Sequence, residues 1–394
     1  MHGTTTGRIP ARDPLDLAAT GHPSTLVGAG PGATRQPDLQ YADEHVELRA
    51  FTPARDTGLD AAAYRVETRN LVARRDPEGY RYVTEMVERQ TARLAADGVD
   101  RPRRPLTGPD GRELLSRRHE VLDEWWGIGR DRPREAFAFD YMPRWREHVP
   151  SAKALWPLQH PGEPTLPFDD GAAPNADDWA VLSHVADAVG IRSRAAVLAA
   201  VAEAQLAATE GGSCLSLGSG GLVPILKSAG ALGARGMDTA VELWDADPDA
   251  IDMAHLLAVR HGLPAPLTTR QVNLYDLRAL RSAASQFDLV DLLGFFEYLP
   301  TEAPPVAGSL VPTASDFLAA ALTRVAPGGT LVLANMRDTH PQLDFVMRCV
   351  QWPYIHPRGL DELAAIIRGA GVADERVTFY LPDDDVYAVV EIEG

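Results

Sequence analysis

Four consecutive small residues, Gly218-Ser219-Gly220-Gly221, are the stretch best suited to chemistry done by the backbone. A short apolar run, Cys214 to Leu217, leads into them and has the composition of a buried strand. Leu222 to Ala229 comes next and can start a helix. Strand, bend and helix together aim backbone N–H groups at whatever lies above the helix N-terminus, a geometry that suits a nucleotide. Glycine is required there because a side chain would block the approach or clash at positive φ. A tight turn with no ligand is the plain alternative reading.

The residues beyond the bend favour the ligand. Asp245 ends the next apolar run, at a spacing somewhat longer than the ~20 residues at which a carboxylate meets a ribose diol. Its other reading is a cap for the helix that begins near Pro248, and both roles can coexist. Asn273 ends a third run and could offer its amide to a purine edge. A dinucleotide is disfavoured, since Val223 stands where G-x-G-x-x-G needs its last glycine, and no G-K-[ST] comes after the bend.

The elements that must position these residues form an α/β pattern. Strands are expected at Thr239–Trp244, Thr268–Asn273, Phe287–Leu293, Thr330–Asn335, Glu375–Tyr380 and Val386–Glu391. Helices are expected at Asp249–Arg260, Asp316–Val325 and Leu360–Ala370. Strands separated by helices make a parallel sheet, and the last two strands, joined by Leu381 to Asp385, make an antiparallel pair. Ligands bind beyond the carboxyl ends of such strands. Those ends are Gly218 to Gly221, Asp245, Asn273, Leu293-Gly294 and Asn335.

Ahead of this Rossmann-like domain, assigned to residues 176–394, the sequence divides into a loosely packed or disordered segment, 1–45, and an all-helical region, 46–175. Helical patterns cover Ala61–Ala73, Gly79–Ala96 and Arg112–Trp126. Two more helices, Ala176–Val189 and Ser193–Thr209, have Asn175 and Ser193 as candidate N-caps. The aromatic-rich stretch from Phe137 to Trp156 reads either as packing between short helices or as a lid over a substrate pocket.

A net charge of −17 argues against nucleic acid and against an anionic membrane surface. The basic clusters Arg101 to Arg104 and Arg130 to Arg134 read as solvated loops. Two cysteines, Cys214 and Cys349, make neither a disulfide framework nor a zinc site, and the eleven histidines are scattered, so no metal is expected. No signal-peptide pattern opens the chain and no long apolar span occurs, so a cytoplasmic protein is expected. The oligomeric state does not follow from these residues, and a homodimer is left open.

LSLGSGG, LWDADPDAIDMA, VNLYDL, FDLVDLLGFFEYLP and VAPGGTLVLANM resemble, in order, the successive motifs of the class I S-adenosylmethionine (SAM)-dependent methyltransferases. The resemblance covers residues 180–394. It implies SAM as cofactor, with Gly218 and Gly220 beside its methionine part. It further implies Asp245 on the ribose, and Asn273 with Leu274 framing the adenine. The chain departs from the pattern at two positions. Ser216 stands where the family often has an acidic residue, and Leu222 where it has a third glycine. Ala334 to Arg358 resembles the corresponding region of a bacterial subgroup linked to fatty-acid-type small molecules. GSGGLVP, WDADPDAIDMA and LPDDDVYAVVEI also resemble stretches of nicotianamine synthase, which uses the aminocarboxypropyl arm of SAM instead of its methyl.

Methyl transfer asks for positioning, desolvation and at times a base. Candidates are Glu297 and Tyr298 after the fourth strand of the SAM domain, and Asn335, His340 and Tyr354 after the fifth. Glu297 and His340 also read as ordinary solvated loop residues. Phe295, Phe296, Trp352 and Tyr354 could wall a pocket for a sulfonium, which is a cation. The expected function is methyl transfer to a small metabolite. Attack on the aminocarboxypropyl arm, by transfer or by cyclisation, is the second reading, and a non-catalytic partner protein with this fold is the third.

Overall fold

Nine strands form one sheet: β1 (Leu48–Pro53), β2 (Arg65–Leu71), β3 (Ser213–Leu217), β4 (Ala240–Asp245), β5 (Thr268–Gln271), β6 (Phe287–Leu292), β7 (Val325–Met336), β8 (Val377–Pro382) and β9 (Tyr387–Glu393). Their spatial order is β1-β2-β8-β9-β7-β6-β3-β4-β5. The computed structural model describes residues 48–53, 59, 65–71, 77–96, 145, 148–160, 176–303, 311–350, 352 and 355–394. β3 pairs in parallel with β4 and β6, and β6 with β7. β9 slots between β7 and β8 and is antiparallel to both, as expected for the closing pair.

β3 and β6 are short apolar runs buried on both faces once helices cover the sheet, β4 is half-buried to buried beyond its first residue, and the edge strand β5 is polar and mostly exposed. Alternation then sorts their side chains. Cys214, Leu243, Leu289 and Val332 join one core, while Leu215, Leu217, Val290, Leu292 and Leu333 join the other. The first face is covered by α1 (Pro77–Ala96), α2 (Ala152–Gln159), α3 (Ala176–His184), α4 (Ala186–Ala208), α5 (Val223–Gly233) and α6 (Pro248–Arg260). The second carries α7 (Leu277–Ser282), α8 (Ala314–Leu322) and α9 (Leu360–Gly369). Leu343–Phe345 runs into a π-helical turn, Val346–Val350, on the first face.

Three expectations are corrected. Helix was expected over Ala61–Ala73, but Arg65–Leu71 is strand β2, parallel to β8, so the amino-terminal region is not all-helical. RVETRNL is short and carries no helical repeat of apolar residues, and the edge of β8 selects the strand. Ser193 is no N-cap. It lies inside α4, its hydroxyl donating to the Val189 carbonyl and to Asp384. The helix breaks at Val185 instead, whose backbone is extended. The expected helix Arg112–Trp126, the cap Asn175, the segment 1–45 and both basic clusters lie outside the described residues.

α4 places side chains at the sheet's carboxyl edge, and its approach to β9 is set by Gly190. A Cβ at Gly190 would stand 2.3 Å from Val386 Cγ1 and 2.9 Å from Tyr387 Cδ2. Gly190→Ala is therefore expected to lower stability by about 1–3 kcal/mol through overpacking. A urea midpoint equal to wild type would show that the helix and β9 separate easily.

Candidate functional site

β3 stops at Leu217, and the chain turns through Gly218 (φ 67°) and Gly220 (φ 59°) before α5 begins. Leu222, the N-cap of α5, also holds a left-handed backbone at φ 59°. The third-glycine conformation is thus kept without the glycine, at a cost of about 1–2 kcal/mol that the buried Leu222 side chain offsets. The bend is clasped closely. A Cβ on Gly218 would lie 3.0 Å from Phe295 Cβ, and one on Gly220 would lie 3.2 Å from Ala152 Cβ at the start of α2. A Cβ on Gly294 would lie 3.2 Å from the Gly218 carbonyl oxygen. Gly218 and Ser219 stay half-buried, while Gly220 and Gly221 are buried.

Two carboxylates, on the strands flanking β3, hold this bend. On the β4 side, half-buried Asp245 accepts the Asp247 N–H at 2.9 Å, and the nearby backbone of Gly220 and Ala246 also favours its ionised form. Burial nonetheless raises its pKa. The helix cap proposed for Asp245 belongs to Asp247, which accepts the Asp249 N–H at 3.0 Å. On the β6 side, buried Asp291 accepts the hydroxyls of Ser216 and Ser219, each at 2.7 Å, and the Leu293 N–H at 2.8 Å. Ser216 and Asp291 are direct parallel partners. Burial raises the Asp291 pKa, while its three donors and Arg194 oppose the rise.

Asn273 is exposed, its side-chain carbonyl accepting the Tyr275 N–H at 3.1 Å, and Leu274 beside it is buried. The Tyr275 and Phe295 rings lie 5.5 Å apart, so a half-buried aromatic pair bridges the ends of β5 and β6 beside Gly218.

Among the described residues, those expected to do acid–base chemistry are buried, and each has structural bonds. Glu297 is not a solvated loop residue. It is wholly buried, paired with Arg194 at 3.0 Å and accepting the Met336 N–H at 3.3 Å. The Tyr298 hydroxyl accepts the Trp352 indole N–H at 2.8 Å. Asn335 takes a guanidinium N–H of Arg358 at 2.6 Å and donates to the His356 carbonyl at 2.9 Å. Phe296 is buried under Arg358. Tyr354 lies outside the described residues.

His340 is not an exposed loop histidine either, and burial lowers its pKa to about 4. Its Nδ1 accepts the Gln342 N–H at 2.9 Å, so the proton of the neutral ring sits on Nε2. That Nε2 has no hydrogen-bond partner and lies 3.9 Å from Asp187 Oδ1. A ring whose free nitrogen already carries a proton is a donor, so His340 in this arrangement does not fit the role of a base.

Sequence reasoning missed Asp187, Arg194 and Asp291. Asp187 accepts the Tyr387 hydroxyl at 2.8 Å and lines a small apolar cavity with Trp145, Leu158, Val185, Phe345 and Val350. The guanidinium of Arg194 stacks 4.2 Å over the Tyr387 ring. Asp291 carried a visible signal, a charge inside the apolar run FDLVDLL. Asp187 and Arg194, on a helix with no polar face, carried none.

Within the nine strands, the run β8-β9-β7-β6-β3-β4-β5, with β9 alone reversed, is the strand order of the class I SAM-dependent methyltransferase fold. This chain has that fold, extended by β1 and β2. No protein-family model and no curated protein matches the chain. Among solved structures it is similar to an O-methyltransferase family protein from Burkholderia thailandensis, at 20% identity over 51% of this chain and 59% of that one, with a TM-score of 0.37. It is similar to a possible exported protein from Bordetella parapertussis, at 15% identity over 73% and 99%, with a TM-score of 0.47. It is also similar to the magnesium protoporphyrin IX methyltransferase of Synechocystis with bound S-adenosylhomocysteine, at 14% identity over 52% and 86%, with a TM-score of 0.36. The chain thus spans 59% of the Burkholderia protein's length. Among the described residues, no His, Cys, Asp and Glu side chains group as a metal site, and no helix is long and apolar enough to cross a membrane.

Burial raises Asp187 from 3.8 to about 7. The Tyr387 hydroxyl and Arg194 oppose that rise, Glu297 adds to it, and the neutral His340 ring faces the carboxyl. Between those two values the folded chain keeps a proton that the unfolded chain has released, so this group's contribution to stability falls as pH rises from about 4 to about 7. His340, depressed to about 4, contributes the opposite slope between about 4 and 6.5. Comparing wild type with Asp187→Asn isolates the first effect. Urea unfolding at pH 4.5 and 7.5 should show the wild type losing ground to the variant by at least ~1 kcal/mol. A pH-independent difference would show that Asp187 is ionised throughout.

Proposed function

We propose that this protein is a SAM-dependent transferase that moves a methyl group to a small-molecule acceptor. The observation that carries the reading is the glycine-rich bend that lies between a carboxylate on each flanking strand, tied to one of them through Ser219, at the carboxyl edge of a sheet with this strand order. The residues present fit the cofactor. The backbone of Gly218, Ser219, Gly220 and Gly221 would border its amino-acid arm, since a Cβ at Gly218 or Gly220 would crowd Phe295 or Ala152. Asp245 would take the ribose diol as an acceptor of two hydroxyls. Asn273 and Leu274 on one side, with Gly294 on the other, would frame the adenine. The ring of Phe295, half-exposed beside Gly218, suits a neighbouring sulfonium. When bound, the cofactor supplies an electrophilic methyl on positively charged sulfur.

The chain's own contribution is then positioning and exclusion of water. Glu297, Tyr298 and Asn335 act by holding the segments after β6 and β7 in register through Arg194, Trp352 and Arg358. His340 offers a proton donor from Nε2. A neutral or cationic acceptor fits best, because the net charge is −17 and the buried groups at this edge include Asp187, Asp291 and Glu297. Two buried free thiols fit a reducing compartment, and we assign the reaction to the cytoplasm.

Incubation with SAM and a panel of small amines, alcohols and acids, read by mass spectrometry, tests the reaction. S-adenosylhomocysteine with a methylated product is the expected result. 5′-Methylthioadenosine instead would redirect the reading to the aminocarboxypropyl arm. Tight SAM binding with no product across the panel would favour a non-catalytic partner. In calorimetry, Asp245→Ala should weaken SAM binding by at least ~1.5 kcal/mol, the scale of a charge-assisted hydrogen bond. Unchanged affinity would remove Asp245 from the ribose role.

A further inference from the structure

A buried carboxyl and a buried imidazole face each other without bonding. Asp187 Oδ1 accepts the Tyr387 hydroxyl at 2.8 Å, and His340 Nε2 ends 3.9 Å from that same oxygen. A direct hydrogen bond needs about 2.7–3.2 Å. The His340 side chain is wholly enclosed, and its Nε2–H has no acceptor among the described residues. Leaving a buried donor unpaired is unfavourable. The gap is held open by a fixed framework. Gln342 gives its backbone N–H to His340 Nδ1 at 2.9 Å, accepts the Ala186 N–H on Oε1 at 2.8 Å and donates from Nε2 to Thr84 Oγ1 at 3.3 Å. One residue thereby ties the segment after β7 to α1 and to the first residue of α4, and Asp187 is the next residue of that helix.

Asp187 also forms the polar end of the small cavity. Trp145, Leu158, Val181, Val185, Phe345 and Val350 are among its apolar walls, and each is buried. A group bound at that end meets an acceptor, the Asp187 carboxyl, and beyond it a donor, the His340 Nε2–H. A hydroxyl satisfies both, giving its proton to one and a lone pair to the other. An ammonium has no lone pair for the Nε2–H, and an ether oxygen has no proton for the carboxylate. A second carboxylate would meet Asp187 as a like charge. The apolar walls select a compact hydrocarbon body behind the hydroxyl.

We propose that this cavity recognises a hydroxyl on a compact apolar group, held between Asp187 and His340, and that the group is one end of the methyl acceptor. Its assignment to the acceptor rests on the SAM reading above; the hydroxyl site itself does not. Placement supports the assignment. α2 runs from the bend to the cavity: its Ala152 is what a Cβ on Gly220 would meet, and its Leu158 lines the cavity. Six residues of helix span about 9 Å. The cavity thus lies about the length of a small molecule from the bend. The hydroxyl bound there orients the acceptor and is not the atom methylated. Asp187 and His340 set specificity and take no part in the transfer.

NMR titration of the full-length chain with three small probes tests this, with the His340 imidazole as reporter. 1-Butanol donates and accepts, its isomer diethyl ether only accepts, and n-butylammonium only donates. At pH 8.5, above the value of about 7 at which Asp187 ionises, 1-butanol should bind at least tenfold more tightly than either and should shift the His340 Nε2–H resonance. Asp187→Leu should cut the preference over the ether to threefold or less, and His340→Phe the preference over the ammonium. Val181→Phe fills the cavity and leaves both polar groups in place. It should abolish binding of all three, and it keeps the test open if a polar variant does not fold. Equal affinity for butanol and ether in wild type, tightest binding of the ammonium, no binding of any probe, or an unchanged butanol preference in Val181→Phe would each overturn the site. S-adenosylhomocysteine is titrated alongside. If it binds while the alcohol preference is missing, the hydroxyl site fails and the SAM reading stands. If the alcohol preference appears while S-adenosylhomocysteine does not bind, the assignment to an acceptor is overturned.

Discussion

The bend after β3 exists in this form because two carboxylates on neighbouring strands hold it from opposite sides. The Gly220 backbone lies beside Asp245, and the Ser219 hydroxyl donates to Asp291. Neither carboxylate is fully exposed, so each contact operates at a lower effective dielectric than in water and is correspondingly stronger. Gly218 and Gly220 take their left-handed conformations without steric cost, whereas that of Leu222 is unfavourable locally and persists because the surrounding fold over-determines it. The Gly218 N–H is spent on the Trp244 carbonyl at 2.9 Å and the Leu222 N–H on the Ser219 carbonyl at 3.3 Å, so the backbone of the bend is fixed at the edge of the sheet.

A second constraint acts from the other end of the same edge. Arg194 reaches from α4 to Glu297 after β6, and Glu297 in turn binds the Met336 N–H at the end of β7. One buried ion pair thereby joins a helix and the ends of two strands. Such a pair contributes little net stability, because desolvation offsets most of the attraction, but losing one partner leaves a buried charge uncompensated. Its effect is to fix register. Arg358 does the same on the far face, bonding Asn335 and the Leu299 carbonyl.

The sheet was legible because its strands carry the signals that survive without tertiary context: short apolar runs, glycine turns and the helical periods between them. The bend and the position of Asp245 at the end of β4 were legible because backbone geometry and strand ends constrain residue type. β2 was misread because Arg65–Leu71 is short and mixed, and the edge of β8 decided its state. Glu297 and His340 were misjudged for a related reason. A polar residue in a loop reads as solvated, and only the fold reveals that Arg194 or the Asp187 carboxyl stands opposite it. Their partners lie far back in the chain on α4, 103 residues away for Glu297, and no local pattern encodes such a pairing.

The distribution of charge narrows how the site can work. A base must be able to take a proton, yet the neutral His340 ring is already protonated on its free nitrogen and Tyr298 is held far above its ordinary pKa by burial. Glu297 is bound to a guanidinium and a backbone N–H. Asp187, with its pKa near 7, is the group whose protonation state is balanced at neutral pH, and it borders an apolar cavity. The groups left at the bend itself are oriented backbone, Ser219 and the face of Phe295. On the proposed reading, these groups would hold a cationic ligand and its neighbour in line without exchanging protons. For a displacement at a carbon already activated by positive sulfur, alignment supplies most of what a protein can add, and an architecture that places its buried charges to set geometry is consistent with that demand.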